Sequence, residues 1–209
     1  MLSAVELHCE RDGRVLFADL RLAVEAGQVL QIQGANGSGK STLLRILAGL
    51  NPDYSGAISW CGDAVSRITE RYRQAMFFVG HAPAINRNLT PLQNLRWVCA
   101  MRGFRDDAAI HSALEALNLR GYEDIPCHQM SAGQQRRVSL ARMQLSGARL
   151  WILDEPFTAL DRRGVAELEQ RIADFSSAGG AVILTTHHAL QLACPLAILN
   201  LDTLAGRRG

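Results

Sequence analysis

The sequence predicts an α/β fold with a mostly parallel core sheet, an N-terminal antiparallel β subdomain and an inserted α-helical subdomain. Apolar runs of strand length alternate with helical patterns, which is typical of a parallel sheet covered by helices on both faces. Residues 5–24 alternate apolar and polar side chains around the turn sequence RDGR, and this predicts an antiparallel ribbon. Residues 82–130 carry helical patterns alone, so we expect a helical insertion there.

The strand candidates of the first half are short and bounded by turns. An apolar run over Val29–Gln33 leads into the glycine-rich segment GANGSGKST. Helical spacing then extends from Leu43 to Leu50 and stops at the Pro/Gly turn NPDYSG. Two further strand candidates follow, Ala57–Trp60 and Met76–Val79.

The second half begins with two helices that have recognisable starts. Thr90 is a capping residue, with Pro at the first helical position and Gln93 three residues after the cap. Ser131 and Gln134 repeat this capping pattern. The remaining elements, in chain order, are the end of the Thr90 helix at about Met101, a helix over Asp107–Leu117, a strand over Leu150–Leu153, a helix over Val165–Ser177, strands over Ala181–Thr185 and Leu196–Leu201, and the terminus AGRRG, which we expect to be frayed.

Composition narrows the classes of protein. The chain has 209 residues, fitting one domain, with 22 Lys and Arg against 20 Asp and Glu. This near balance argues against a nucleic-acid partner, and an apolar fraction of 48% excludes a wholly disordered chain. No run approaches the roughly 18–20 apolar residues of a membrane-spanning helix. Five widely spaced cysteines without a CxxC pair exclude a complete disulfide framework and a cysteine-rich zinc site, and suit a reducing cytosol.

Residues 34–41 match the phosphate-loop pattern GxxxxGK[ST] at every fixed position. Backbone free of Cβ atoms can wrap a triphosphate with N–H donors, and the following helix directs its positive end at the phosphates. We expect Lys40 to reach the β- and γ-phosphate oxygens and Ser41 to ligate Mg²⁺. The alternative is a glycine turn that merely joins a strand to a helix. The predicted nucleotide-binding residues are Gly34, Ala35, Asn36, Gly37, Ser38, Gly39, Lys40, Ser41 and Thr42.

Two carboxylates follow the apolar strand LWIL, where open α/β sheets bind ligands. Adjacent strand residues point to opposite sides, so the two acids have different predicted roles. Asp154 is the predicted Mg²⁺ ligand, and Glu155 is the predicted general base for the attacking water. A helix cap is the alternative interpretation of this acidic pair.

A histidine follows the apolar strand over Ala181–Thr185. His187 is a candidate catalytic residue because, from a strand end, it could bond the γ-phosphate. A polar residue at the strand end without a role in catalysis is the alternative, and the neighbouring His188 is a competing candidate.

The segment MSAGQQRR at 130–137 resembles the LSGGQ signature of the ATP-binding cassette (ABC) ATPases, with Met for Leu and Ala for the first Gly. The segment TALD at 158–161 resembles their D-loop, and His187 their switch histidine. The resemblance implies a P-loop NTPase fold of the ABC type, with ATP and Mg²⁺ as cofactors. It implies a RecA-like core over about 1–81 and 145–209, and a helical subdomain over about 82–144, within one domain over 1–209.

The resemblance also implies a homodimer that forms on ATP binding, with each nucleotide between two copies. A capped helix N-terminus is a second anion-binding element in a chain that already has one, which agrees with this arrangement. A merely well-capped helix is the alternative, but it leaves Gly133 without a reason, because a glycine inside a helix costs about 1 kcal/mol. The residues implied to bind nucleotide here are Ser131, Ala132, Gly133, Gln134 and Asp161.

Two positions depart from the ABC pattern. His81 stands where the family has Gln; it is a candidate for contact with Mg²⁺ or the lytic water, although imidazole differs from an amide in geometry. The aromatic residue that stacks on adenine would fall near Arg11 or Asp12, neither of which is aromatic. Arg11 could stack by a cation–π contact, and Phe17 is predicted to be a core residue.

Four segments resemble the ATP-binding subunits of bacterial cytochrome c maturation systems: CERDGRVLF, GHAPAINRNLTPLQNL, EDIPCHQMSAGQQRRV and LWILDEPFTALDRRGV. This resemblance implies an ATPase on the cytoplasmic face of the inner membrane that powers haem export or release of a haem-loaded chaperone. It implies a B-type integral membrane permease as partner, with C-, D- and E-type maturation proteins nearby. The alternatives are an ABC transporter with another cargo, a soluble ABC ATPase of DNA repair or translation, and a small-molecule kinase.

Overall fold

The computed structural model describes residues 1–205, which form two β-sheets and seven α-helices within that range. Four residues of the predicted frayed terminus, 206–209, lie outside the described residues. The strands are β1 (Leu2–Arg11), β2 (Arg14–Val24), β3 (Val29–Gln33), β4 (Ser55–Trp60), β5 (Asp63–Ala64), β6 (Met76–Val79), β7 (Leu150–Asp154), β8 (Ala181–Thr185) and β9 (Leu196–Asn200). The helices are α1 (Lys40–Leu47), α2 (Thr69–Ala75), α3 (Pro91–Met101), α4 (Asp107–Glu115), α5 (Ala132–Gln144), α6 (Arg162–Ser177) and α7 (Asp202–Ala205).

The larger sheet is parallel throughout, with strand order β6-β7-β8-β3-β9. In its register, Ile32 and Asp154 both pair with Thr185. The carboxyl ends of β3, β7 and β8 therefore meet at one edge of the sheet. This edge is where the phosphate loop, the acidic pair and His187 leave their strands, so the predicted α/β core is confirmed.

The smaller sheet is antiparallel, with order β2-β1-β4-β5. The predicted ribbon is its β1–β2 hairpin, and the two-residue turn has positive φ at both positions, 53° at Asp12 and 73° at Gly13. Such turns match the twist of a hairpin. The strand predicted over Ala57–Trp60 joins this sheet as β4, beside β1.

Between Val79 and Leu150 the α- and 3₁₀-helices are the regular elements of the described chain. Both predicted capping boxes are present. The Thr90 hydroxyl accepts from Gln93 N at 3.2 Å, and the Ser131 hydroxyl accepts from Gln134 N at the same distance. The helical subdomain thus has the predicted content, while its boundaries at about 82–144 stay a prediction.

The structure differs from the sequence-based boundaries in several places. Helix α1 begins at Lys40, directly after the phosphate loop as expected, and ends at Leu47, before the predicted Leu50. Helix α2 was not predicted, because seven residues with one buried side chain, Tyr72, carry no clear periodicity. The last strand ends at Asn200, and α7 follows from Asp202.

The parallel sheet separates two hydrophobic clusters, because successive strand residues point to opposite faces. Trp151 and Leu153 of β7 pack into the cluster beneath the helical subdomain. Leu150 and Ile152 pack into the cluster shared with α1 and the antiparallel sheet. The five cysteines all lie in the described range and are free, and no helix of that range is long and apolar enough to cross a membrane.

Candidate functional site

The phosphate loop connects β3 to α1 and is shaped by its glycines. Gly37 and Gly39 have φ of 80° and 98°, a conformation that residues with a Cβ rarely adopt. Gly39 directly precedes the first turn of α1, whose N-terminal N–H groups consequently face the loop. Lys40 folds back over the loop, and its Nζ donates to the carbonyls of Gly34 at 2.8 Å and Ala35 at 3.0 Å. This arrangement is a cradle for an anion.

A cleft of about 420 Å³ lies against this loop. It brings together half of the candidate residues, from the phosphate loop and from the ends of β7 and β8. Its lining consists of Arg11, Leu16, Asn36, Gly37, Gly39, Lys40, Ser41, Thr42, Asp154, Glu155 and His187. Gly34, Ala35 and Ser38 are not part of this lining, and the N–H of Ala35 donates to the carboxylate of Asp202, with N–O distances of 3.0 and 2.9 Å.

Two side chains with oxygen atoms that could ligate a metal ion, Ser41 and Asp154, lie next to each other in the cleft. The Ser41 hydroxyl donates to Oδ1 of Asp154 at 3.1 Å. The same carboxylate oxygen accepts from the Thr185 hydroxyl at 2.8 Å, and Asp154 is 3% exposed. A hydroxyl and a carboxylate beside a phosphate cradle are the donor set that Mg²⁺ uses in nucleotide sites, where phosphates and waters complete the shell. These residues fit the cation.

Glu155 follows Asp154 with a φ of 48°, in the left-handed region. Its N–H donates to the Thr185 hydroxyl at 3.1 Å, and its Oε2 accepts from the His187 N–H at 3.3 Å. Its other oxygen, Oε1, is buried and has no hydrogen-bond partner among the described residues. His187 Nε2 lies 3.6 Å from that oxygen, and its side chain is 68% exposed. A carboxylate oxygen that lacks a hydrogen bond is suited to accept a proton from water.

Sequence reasoning missed Arg136 of α5, which contacts the backbone beneath this site. Its side chain is 3% exposed. Burial lowers the pKa of the guanidinium, and the nearby carboxylates of Asp154 and Glu155 act in the opposite direction. It follows the signature motif directly, but an arginine in a helix is most often a surface residue, so the pattern alone does not distinguish it. Thr185 was likewise assigned only to a strand.

The signature residues 131–134 and Asp161 do not line the cleft of their own chain. Asp161 caps α6 through Gly164 N at 2.8 Å and pairs with Arg137 at 2.9 Å. The hydrogen bond from Gly164 N–H is the largest cause that holds the pKa of the Asp161 carboxyl below its usual value. The nearby Arg137 lowers this pKa further. Gly133 has a structural reason that the sequence did not reveal: a Cβ there would lie 2.9 Å from the carbonyl oxygen of Ala159.

The positions that depart from the ABC pattern have different environments. His81 is exposed and does not line the cleft; its backbone carbonyl, not its imidazole, contacts Arg136 at 3.4 Å. Arg11 lines the cleft opposite the phosphate loop, with its side chain 71% exposed and 3.5 Å from Asp12. Phe17 is 1% exposed in the core, as predicted.

A larger groove, of about 990 Å³, lies away from this cleft, between the helical subdomain and the β6 side of the core. Trp97 and Met101 of α3 are 60% and 69% exposed at its side. At its floor, the guanidinium groups of Arg102 and Arg142 lie 5.9 and 5.6 Å from the Phe77 ring. Burial lowers the pKa of both arginines. The groove is therefore apolar and cationic.

Comparison with known proteins gives similar results for sequence and structure. Residues 17–158 match the family described as ABC transporter. The chain is 51% identical over 189 residues to the cytochrome c biogenesis ATP-binding export protein CcmA of Pseudomonas savastanoi pv. phaseolicola, covering 90% of this chain and 89% of that protein. It is 45% identical to the CcmA protein of Saccharophagus degradans over 95% and 89% of the two chains.

Solved structures have the same fold. A putative ABC transporter ATP-binding protein from Pyrococcus furiosus superposes with a TM-score of 0.84 at 24% identity, over 97% of this chain and 98% of that chain. An ATP-binding cassette described as dimeric, in a post-hydrolysis state with ADP and Pi bound, gives 0.81 at 23% identity, over 90% and 88%.

Proposed function

The chain belongs to the ABC transporter family, among the CcmA-type ATP-binding proteins, and we propose that it powers a transporter of c-type cytochrome biogenesis by hydrolysing ATP. The observation that carries this proposal is the convergence of Lys40, Ser41, Asp154 and Glu155 on one cleft. The names of its relatives give cytochrome c biogenesis and export, and the step that we propose it drives is export of haem or release of a haem-loaded chaperone.

The phosphate loop and the residues at the ends of β7 and β8 have different proposed roles in ATP hydrolysis. The phosphate loop and Lys40 bind the β- and γ-phosphates, since N–H donors and an ammonium group face the same space. Ser41 and Asp154 hold Mg²⁺, which when bound neutralises phosphate charge. Glu155 takes the proton of the attacking water on its unpaired Oε1. His187, beside Glu155, bonds the γ-phosphate from the exposed side of the cleft.

A second copy of the chain completes the site. The cleft is open to solvent, whereas hydrolysis is favoured when water is excluded and the γ-phosphate has donors on every side. The N-terminus of α5 is an anion-binding element that does not line the cleft of its own chain, and it consists of Ser131, Ala132, Gly133 and Gln134. A head-to-tail homodimer would bring this helix N-terminus of one copy, with Asp161, to the nucleotide held by the other.

The Glu155→Gln variant tests this proposal. Glutamine keeps the volume of the side chain but cannot accept the proton, so we expect ATP binding to persist while turnover falls by about 10²–10⁴-fold. Unhydrolysed ATP should then hold the dimer, which size-exclusion chromatography with light scattering would detect. Glu167→Gln on α6, an acid paired with Arg163 outside the cleft, is the matched control. A Glu155→Gln variant that binds ATP but stays monomeric would contradict the proposal.

The groove beside Trp97 is the proposed binding site of the membrane partner, a B-type permease subunit. Its occupant is an amphipathic cytoplasmic segment carrying an acidic side chain. Trp97 and Met101 offer apolar surface, and Arg102 and Arg142 offer two cations at the floor. The C-, D- and E-type maturation proteins act with that permease. Docking there would hold the chain on the cytoplasmic face of the inner membrane as a peripheral subunit.

Co-purification with a B-type permease subunit tests the groove. Trp97→Asp should weaken the association by about 30-fold or more, because an exposed tryptophan at the centre of an interface commonly contributes about 2 kcal/mol or more. Leu50→Asp is the matched control, since Leu50 is 58% exposed and lies outside the groove. Equal retention of the permease by both variants would exclude the groove as its binding site.

A further inference from the structure

The side chain of Arg136 connects helix α5 to two backbone segments that are distant in the chain, one after β6 and one after β7. Arg136 lies on the second turn of α5. Every hydrogen-bond acceptor of its guanidinium among the described residues is a peptide carbonyl. The acceptors after β6 are Gly80 O (2.9 Å from Nη1) and His81 O (3.4 Å from Nη1). The acceptors after β7 are Asp154 O (3.3 Å from Nη2), Glu155 O (2.8 Å from Nη2) and Pro156 O (3.2 Å from Nε).

This set of contacts depends on the shape of the guanidinium. Arginine presents five N–H donors in a rigid planar fork, so one side chain can hold several carbonyls in fixed relative positions. Lysine has three donors on one rotating nitrogen and cannot reproduce the set. Arg136 is 3% exposed, and its bonds to Asp154 and Pro156 are buried, whereas those to Gly80, His81 and Glu155 are partly buried.

The peptide on either side of Glu155 is held by a different partner. Its carbonyl accepts from Arg136, and its N–H donates to Thr185. The φ of 48° is uncommon for a residue with a side chain and persists where neighbouring contacts enforce it. These contacts fix the direction in which the Glu155 carboxylate leaves the backbone, towards the cleft and His187.

We propose that Arg136 is a positioning residue, which acts through the backbone of Glu155 to aim its carboxylate at the attacking water. The inference rests on the proposed function, in which Glu155 is the general base. It goes further by connecting α5, whose N-terminus carries Ser131, to the hydrolytic centre of its own chain. Rotation of α5 against the core would then change the aim of Glu155.

Arg136→Lys tests this role, with Arg136→Met as a second variant that keeps an unbranched, flexible side chain but has neither the charge nor the N–H donors. A displacement of about 1 Å at a reacting group costs up to about 100-fold in rate, so we expect kcat to fall by about 10- to 100-fold. The Kd for ATP should change by less than about threefold, because the phosphate loop is untouched. The variants should accumulate an ATP-bound dimer, as we expect for Glu155→Gln.

The dimer distinguishes positioning from a structural role. A loosened fold would lose the dimer together with turnover, whereas misdirection of Glu155 preserves the dimer and loses turnover. Arg171→Lys is the matched control, because Arg171 also donates to a carbonyl, that of Ala116, far from the cleft. Its turnover should stay within about twofold of the wild type, since no hydrogen bond of the site is removed.

Three results would overturn the inference: turnover of Arg136→Lys and Arg136→Met within threefold of the wild type, loss of the dimer in soluble variants, or failure of both variants to fold. The last would make Arg136 a residue of the fold and not of the catalytic geometry. Failure of the proposed function is distinguishable, because the wild type itself would then lack ATP turnover, or Glu155→Gln would not dimerise.

Discussion

Replacing Thr185 by valine removes one hydroxyl that supports both acidic residues of the site. Thr185 is fully buried at the end of β8. Its hydroxyl donates to Asp154 Oδ1 at 2.8 Å and accepts from Glu155 N at 3.1 Å. Valine has nearly the same shape, so the change removes polar contacts without leaving a cavity. The sequence had given Thr185 no role beyond its strand.

The magnitude follows from these two bonds. A hydrogen bond to a charged group contributes about 1.5–3 kcal/mol to stability, and a buried N–H left without a partner costs about 1–3 kcal/mol. Because one hydroxyl serves both groups, the effects overlap, and we expect a loss of about 2–4 kcal/mol in the free energy of unfolding. In a chain of this size each kcal/mol corresponds to about 2–4 °C, so the melting temperature should fall by about 5–15 °C.

Urea and thermal unfolding without nucleotide would measure this loss, since bound ATP would add its own stabilisation. Thr185→Ser is the matched control: it keeps the hydroxyl and loses one methyl group, which contributes about 1 kcal/mol when buried. A valine variant as stable as the serine variant would refute the assignment of these hydrogen bonds. We also expect Thr185→Val to lower kcat more than Thr185→Ser does, because Glu155 loses one of its two backbone supports.

Two further variants separate binding within one chain from contact between chains. Lys40→Ala should weaken ATP binding by about 10- to 100-fold, since a hydrogen bond to a charged group contributes about 1.5–3 kcal/mol; titration with a fluorescent ATP analogue would measure it. Ser131→Arg should leave the ATP affinity of the monomer unchanged and abolish turnover, because Ser131 acts on the nucleotide of the second copy. If the ATP affinity and the turnover of Ser131→Arg fall together, the proposed contact of Ser131 with the nucleotide of the second copy is contradicted.

The sequence predicted best those elements whose side chains are almost all buried. The strands over Val29–Gln33, Leu150–Asp154 and Ala181–Thr185 are buried on both faces, so their apolar runs are continuous and their ends are clear. The functional residues at those ends follow from the general rule that parallel sheets bind ligands at their carboxyl edge. For this reason Asp154, Glu155 and His187 converge with the phosphate loop on one cleft.

Residues that act through the backbone of other segments escaped prediction. Arg136 contacts carbonyls up to 56 positions away along the chain. Because every residue has a peptide carbonyl, the sequence does not indicate which carbonyls a side chain will contact. Gly133 is required by the carbonyl of Ala159, which approaches only after folding. His81 was assigned by its position in a motif, and its side chain lies outside the cleft. Long-range contacts of this kind need the three-dimensional structure.

The close approach of Gly133 to Ala159 has a mechanical consequence. With room for little more than a hydrogen atom between them, the first turn of α5 cannot slide past the loop at 158–161. The Arg137–Asp161 pair clasps the same two elements at a second point. The first turn of α5 and the loop at 158–161, which we propose contact a second copy, would therefore move as one rigid unit, and a nucleotide bound by either would move both.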